Sequence, residues 1–138
     1  MMKHPADRAA RNLASIRKKR PLIHSITNLV AMNYTANALL AMGAAPIMAH
    51  DRNEVAEIVT TAAALVLNIG TFSEAWLDSM LTAGQKASQC GIPIILDPVG
   101  AGASALRTAA ALQILKRTDV SVIRGNASEI LSLSDDPG

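Results

Sequence analysis

The stretch IPIILDPVGAG, residues 92–102, passes from an aliphatic run to a polar, glycine-rich segment within a few residues. Ile92 to Leu96 has the length and apolar character of a strand that is buried on both faces, as strands of parallel sheets are. Asp97 and Pro98 end this strand, because proline cannot donate a hydrogen bond to a sheet. A carboxylate that directly follows a buried strand lies at the edge where open α/β sheets bind their ligands.

The same succession of an aliphatic strand and polar residues recurs along the chain. The predicted strands are residues 22–27, 45–49, 64–69, 92–96 and 120–123. Helical segments flank them, with predicted N-caps at Asp7, Asn28, Asn53, Ser73 and Asn126 and predicted C-terminal glycines at Gly43 and Gly91. Strands and helices that alternate with short connections predict an α/β fold with a parallel sheet and helices on both faces. We expect residues 1–138 to form a single α/β domain.

Composition narrows the classes of protein that this chain can belong to. Half of the 138 residues are apolar and 17% are charged, so the chain does not have the composition that is typical of a disordered protein. A net charge of +2 and only one residue each of Trp, Tyr and Phe argue against nucleic-acid binding. The single cysteine, Cys90, excludes an internal disulfide. No signal segment is visible in Met1 to Arg20 and no apolar run is long enough to span a membrane, so we expect a cytoplasmic protein.

Three polar residues near the predicted strand ends are candidates for binding phosphate or metal. Asp97 can hold a hard cation or cap a turn, and the sequence leaves both roles open. Arg124 follows the strand Val120–Ile123, where a guanidinium can bind phosphate in a bidentate manner. Glu129 can complete a capping box with Asn126, whose default role is that of a helix N-cap.

Other residues carry weaker signals. Met48 lies near the end of the second predicted strand, where it can pack in the core or line a pocket for a small, sulfur-containing heterocycle. His24 and His50 have no third ligand at a useful spacing, so we expect no metal site built from histidine. Gly100 and Gly102 do not belong to a G-x-G-x-x-G motif, because residue 105 is alanine.

Several blocks of sequence, taken together, resemble the hydroxyethylthiazole kinase family. They are PLIHSITN (21–28), TAN (35–37), GAAPIM (43–48), LNIGT (67–71), LDPVGAG (96–102) and IRGNASEI (123–130). Their order and spacing are similar to those of the family, and they cover nearly all of residues 20–132. Ordered blocks of this kind are far more specific than a single glycine motif.

The resemblance implies a ribokinase-like fold and the transfer of the γ-phosphoryl group of ATP to the primary alcohol of methyl-hydroxyethyl-thiazole, a step of thiamine biosynthesis. It also implies dependence on Mg²⁺ and a homotrimer with substrate pockets between subunits. By the same resemblance, Met48 contacts the thiazole with Asn28 beside it, and Arg124 binds the phosphates of ATP. Asp97 and Glu129 serve the region of Mg²⁺ and phosphate.

Members of this family continue beyond the position of residue 138. Their second half carries a glycine-rich anion hole, a conspicuous cysteine and further ATP contacts, so the resemblance assigns no catalytic residue within this chain. We expect the chain to be the N-terminal half of such a kinase, apparently truncated, and to be inactive alone. The alternative is a non-catalytic module that binds thiazole or assembles a trimer.

Overall fold

Five aliphatic strands form one parallel sheet in the computed structural model, which describes residues 4–134. The strands are β1 (Leu22–Ile26), β2 (Ala45–Ile47), β3 (Ala64–Asn68), β4 (Ile94–Asp97) and β5 (Val120–Ile123). Their spatial order is β2-β1-β3-β4-β5, and every neighbouring pair is parallel. The predicted parallel α/β sheet is confirmed.

Six helices connect and flank the strands. They are α1 (Pro5–Lys19), α2 (Met32–Met42), α3 (Val55–Val59), α4 (Glu74–Cys90), α5 (Ala105–Arg117) and α6 (Ala127–Ser134). The chain steps outward from β1 to β2 and then reverses past β1 to β3, β4 and β5. Because crossovers between parallel strands are right-handed, this reversal places α2 on the face opposite to α3, α4 and α5. Within residues 4–134, no helix combines the length and the apolarity needed to cross a membrane.

The core lies between the sheet and the layer formed by α3, α4 and α5. Paired residues of neighbouring parallel strands point to the same face, and this core-facing row is fully buried: Ile26, Leu65, Leu67, Ile94 and Leu96. On the other face, Val66 and Ile95 are only half-buried, and Val122 in β5 is exposed. The sheet is therefore covered more completely on one face than on the other.

Most of the predicted helix ends are confirmed, and three predicted N-caps, Asp7, Asn28 and Asn53, are wrong. Gly43 and Gly91 end α2 and α4 in the left-handed conformation, with φ of 95° and 67°. Asp7 does not cap α1, because the helix begins two residues earlier and the imidazole of His4 accepts the hydrogen bond from the Ala6 amide. Asn53 does not cap α3. Its own amide donates to the side chain of Asp51, which organises the turn before that helix.

The pairing of β4 with β5 shifts by one residue. Ile94 pairs with Val120, Ile95 with Val122 and Leu96 with Ile123. Ser121 is therefore an extra residue in β5, and its hydroxyl accepts a hydrogen bond of 3.3 Å from the Ile94 amide. Beyond the shift, the Arg124 amide donates to the Leu96 carbonyl at 2.9 Å, which aligns Arg124 with Asp97.

Candidate active site

Four polar side chains form a hydrogen-bonded row across the carboxyl ends of four strands. Asn28 Nδ2 donates to Asn68 Oδ1 at 2.8 Å, and Asn68 Nδ2 donates to Asp97 Oδ2 at 2.9 Å. Arg124 Nη1 donates to the same Asp97 oxygen at 2.7 Å. Because Asn68 and Asp97 are paired in the sheet, their side chains share one face. The structure thus brings together three of the predicted site residues and adds Asn68, to which the sequence assigned no role.

Asn68 is held in one orientation. Its Oδ1 accepts a second hydrogen bond, of 2.9 Å, from the Gly70 amide, so its Nδ2 must face Asp97. Asp97 Oδ2 therefore accepts two hydrogen bonds, one from Asn68 and one from Arg124. Among residues 4–134, Asp97 Oδ1 accepts no hydrogen bond, which leaves this oxygen available to a cation.

Asp97 is a nearly buried carboxyl group. Burial raises the pKa of Asp97 above its ordinary value. The positive charge of Arg124 opposes this shift without cancelling it, and the negative charge of Glu129 adds to it. A cation that bound to the free oxygen of Asp97 would stabilise the charged form of this carboxyl group.

Glu129 and Asn126 form a capping box at the start of α6, as predicted. Asn126 Oδ1 accepts a hydrogen bond from the Glu129 amide and Glu129 Oε2 accepts one from the Asn126 amide, each at 2.9 Å. Glu129 Oε1 accepts a third, also of 2.9 Å, from the Gly100 amide, so the same side chain ties the loop after β4 to α6. The Gly100 and Asn126 amides hold the pKa of Glu129 below its ordinary value.

Two open cavities lie along this edge of the sheet. One, of about 390 Å³, is lined by Asp97, Val99, Arg124, Gly125, Asn126 and Glu129. The other, of about 310 Å³, is lined by Asn28, Val30, Ala31, Gly70, Thr71 and Val99. Val99 lines both, so the two cavities are neighbours. The second cavity lies where the strand order reverses between β1 and β3, the place where open α/β sheets bind ligands.

Asn28 is fixed at the wall of the smaller cavity. Its Oδ1 accepts a hydrogen bond of 2.8 Å from the Ala31 amide, so it closes the turn before α2 rather than capping the helix itself. A Cβ atom on Gly70 would lie only 2.9 Å from Asn28 Nδ2. Glycine at residue 70 is therefore what lets the loop after β3 approach Asn28 closely.

Met48 is half-buried just after β2 and lines neither of these two cavities. The loop that carries it is held by His24, whose Nε2 donates to the Ala49 carbonyl at 2.8 Å. His24 is fully buried, and burial lowers the pKa of its imidazole. The contact of Met48 with the thiazole stays a prediction.

Arg107 is a further residue of this edge, and no sequence signal pointed to it. Its Nη1 donates to the carbonyl oxygens of Ile69 and Val99, both at 3.0 Å, and its Nη2 donates to the Gly70 carbonyl at 2.8 Å. These partners are backbone atoms of two loops, so neither a charge pattern nor a spacing in the sequence reveals them.

The possible metal ligands of this edge are few. Within the described part of the chain, no group of three His, Cys, Asp or Glu side chains could hold a metal ion. Asp97 and Glu129 flank the larger cavity as a pair. Mg²⁺ commonly binds through one or two carboxylates and completes its shell with water and substrate phosphates, so this pair fits a magnesium–nucleotide complex better than a site built from protein ligands alone.

Comparison with known proteins identifies the family to which this chain is similar. The profile of the hydroxyethylthiazole kinase family matches residues 13–137. The hydroxyethylthiazole kinase of Desulfotalea psychrophila is 63% identical over 128 residues, which are 93% of this chain and 47% of that protein. The hydroxyethylthiazole kinase of Chloroflexus aurantiacus is 55% identical over 93% of this chain and 48% of its own length.

A solved structure shows the same fold. The hydroxyethylthiazole kinase protein from Pyrococcus horikoshii OT3 superimposes with a TM-score of 0.86 at 51% sequence identity, over 89% of this chain and 48% of that chain. The chain spans about half the length of the curated relatives that it matches. From the family profile and these identities, we conclude that the chain belongs to the hydroxyethylthiazole kinase family.

Proposed function

We propose that this chain provides the substrate-binding and phosphate-binding residues of a hydroxyethylthiazole kinase, which phosphorylates the primary alcohol of methyl-hydroxyethyl-thiazole with ATP in thiamine biosynthesis. The observation that carries this proposal is the row from Asn28 to Arg124, which joins two neighbouring cavities. A phosphoryl transfer between two substrates needs two adjoining binding sites, and one of them must neutralise the charge of the phosphates.

The two cavities differ in the ligands that they suit. The smaller one offers the Asn28 amide and apolar side chains such as Val30, which suit a small heterocycle, and Met48 approaches it from the neighbouring strand end in our proposal. The larger one offers Arg124, which binds the phosphates of ATP. The alcohol and the terminal phosphate then meet near Val99, the residue common to both cavities.

The carboxylates of Asp97 and Glu129 would hold Mg²⁺. Asp97 offers its free Oδ1, and each oxygen of Glu129 keeps a lone pair beside the hydrogen bond that it accepts. When bound, Mg²⁺ neutralises part of the negative charge on the phosphates of ATP.

The reaction itself forms a bond from the alcohol oxygen to the γ-phosphorus and breaks the bond from the γ-phosphorus to the β,γ-bridging oxygen. ADP leaves, and the proton of the alcohol passes to solvent water. The residues of this chain act on that step by position and charge: Asn28 orients the alcohol substrate, and Arg124 holds the phosphates.

We also propose that the protein is a cytoplasmic homotrimer and that residues 1–138 form one domain. Support for self-association comes from Val30, which lines the smaller cavity and is 86% exposed, together with the exposed side chains of Leu29 and Tyr34, close to it in the sequence. Contiguous exposed apolar groups of this kind mark interaction surfaces. A subunit that packed on these side chains would enclose the thiazole.

The test uses a fusion of this chain to the C-terminal half of the Desulfotalea psychrophila enzyme, called the fusion enzyme below. We expect it to phosphorylate the thiazole alcohol with ATP, and we expect the 138-residue chain alone to show no significant turnover. In the fusion enzyme, Asp97→Ala lowers turnover roughly 100-fold or more, as the loss of a group that stabilises transition-state charge does. Asp78→Ala, which removes an exposed carboxylate on α4, is the matched control.

Two results would contradict the proposal. A folded fusion enzyme that binds the thiazole alcohol without phosphorylating it would favour the non-catalytic module. Robust phosphorylation by the 138-residue chain alone would show that the second half is not needed for the chemistry.

A further inference from the structure

We infer that Arg107 is a positioning residue that sets the distance between the two cavities, and thereby the alignment of the thiazole alcohol with the terminal phosphate of ATP. The effect on catalysis that this inference predicts rests on the proposed function. Its structural basis is independent of that function, because it concerns how two loops of this chain are joined.

The guanidinium of Arg107 joins the loops that follow β3 and β4. It binds the carbonyls of Ile69 and Gly70 in the first loop and the carbonyl of Val99 in the second. Gly70 lines the smaller cavity, and Val99 lines both. One side chain therefore holds the backbone of both cavity walls.

The loop after β4 is shaped to receive this side chain. Gly100 has a φ of +78°, and a Cβ atom at this residue would lie 2.8 Å from Arg107 Cδ. The stem of Arg107 thus lies against Gly100, whose amide is in turn held by Glu129. The position of Arg107 is coupled to the residues of the larger cavity through one backbone loop.

The charge of Arg107 is not used in an ion pair. Among residues 4–134, the salt bridges are Arg52–Asp78 and Arg124–Asp97, and neither involves Arg107. Its hydrogen-bond partners are all neutral carbonyls, so the geometry of the planar guanidinium is what the site requires. Lysine carries its three donors on a single nitrogen, so it cannot fill both of the nitrogen positions from which Arg107 reaches the two loops.

Loss of this link is expected to affect turnover more than binding. Each cavity keeps its own ligand-binding groups, but the two bound substrates are no longer held at a reactive distance. A displacement of about 1 Å can lower a reaction rate roughly 100-fold. Arg107→Lys and Arg107→Ala should therefore lower kcat by about that factor and change KM for ATP and for the thiazole alcohol by less than about threefold.

The experiment measures kcat and KM of the fusion enzyme and of both variants, with Arg52→Lys, at an exposed arginine, as the matched control. Guanidinium added to the solution should partly restore kcat of Arg107→Ala. The ammonium group in Arg107→Lys should not replace the lost guanidinium, so kcat of this variant should stay low. Arg107→Lys keeps the charge and most of the aliphatic part of the side chain. If Arg107→Ala does not fold, Arg107→Lys still tests the inference. An unchanged kcat in Arg107→Lys would overturn the inference.

Hydrogen exchange provides a readout that does not depend on activity. In both variants, the amides of Gly70 and Gly100 should exchange faster than in the parent protein, while the amides of α4 should be unchanged. Unchanged exchange at both glycines would also overturn the inference. Absence of turnover in the parent fusion enzyme would instead contradict the proposed function, and the exchange measurement would still test the role of Arg107.

Discussion

Arg124 donates a 2.7 Å hydrogen bond to Asp97 although its own side chain is 77% exposed and that of Asp97 is 13% exposed. An exposed cation thus pairs with a nearly buried anion at the edge of the sheet. Because the guanidinium is not enclosed by neighbours, it can turn toward a phosphate without repacking the core. Asp97 would keep its hydrogen bond from Asn68 after such a movement.

Arg124→Gln is expected to weaken ATP binding to the fusion enzyme by roughly 10- to 100-fold, because a charge-assisted hydrogen bond to phosphate is lost. Titration calorimetry measures the Kd directly. Arg52→Gln, which removes another exposed arginine, should leave it unchanged. Wild-type affinity in a folded Arg124→Gln variant would remove Arg124 from the phosphate site.

Glu129→Gln should lower the free energy of unfolding of the chain by about 1–2 kcal/mol, as measured in urea. The Gly100 and Asn126 amides donate to different oxygens of Glu129. Glutamine replaces one of these oxygens by an NH₂ group, which is itself a donor, so one of the two amides loses its acceptor. Ser128→Ala, at an exposed neighbour in the same turn, is the control.

The pH dependence of the same variant has a defined sign. Because the pKa of Glu129 is lower in the folded chain than its ordinary value of 4.5, its contribution is present above pH 4.5 and is lost as the pH falls through the folded pKa. Glu129→Gln should therefore lose less stability on acidification than the wild-type chain does. An equal loss in both would contradict the assignment of these two hydrogen bonds.

These candidate residues could be predicted from the sequence because parallel strands must bring their carboxyl ends to one edge. Asp97, Arg124 and Asn28 each directly follow a predicted strand, and the structure places all three in one row. The sequence did not supply the strand order. Asn28 and Asn68 become neighbours because β3 pairs with β1, a choice made by packing between distant segments.

Arg107 could not be found in the sequence for a different physical reason. Two of its carbonyl partners lie 37 and 38 residues away, and a backbone carbonyl belongs to every residue type.

The predictions of helix caps at Asp7 and Asn53 failed for a related reason. Asp7 and Asn53 are good capping residues, but His4 and Asp51 accept the decisive hydrogen bonds because of where the chain turns.

His24→Gln should reduce the loss of stability that the chain shows between about pH 7.5 and about pH 5.5. The pKa of His24 in the folded chain lies below its ordinary value of 6.5, so its contribution to stability is present above pH 6.5 and is lost as the pH falls toward the folded pKa. Glutamine can still donate to the Ala49 carbonyl. Urea unfolding at both pH values measures the difference, with the exposed His50→Gln as control. A pH dependence equal to that of the wild type would contradict this prediction.

Met48→Asp should weaken binding of the thiazole alcohol to the fusion enzyme by at least about tenfold, because an apolar ring would desolvate the new charge. Met48→Leu keeps an apolar side chain of similar volume and should bind normally. Calorimetric titration of the folded variants compares the two. Unchanged affinity in Met48→Asp would place the thiazole elsewhere.

The extra residue Ser121 is accommodated before β5 reaches the site. Beyond it, Ile95 pairs with Val122 and Leu96 with Ile123, so Arg124 follows level with Asp97. Paired residues of parallel strands share a face, which places the guanidinium on the same side of the sheet as the carboxylate. Loss of the single codon for Ser121 would therefore make β5 a regular strand and leave Arg124 beside Asp97.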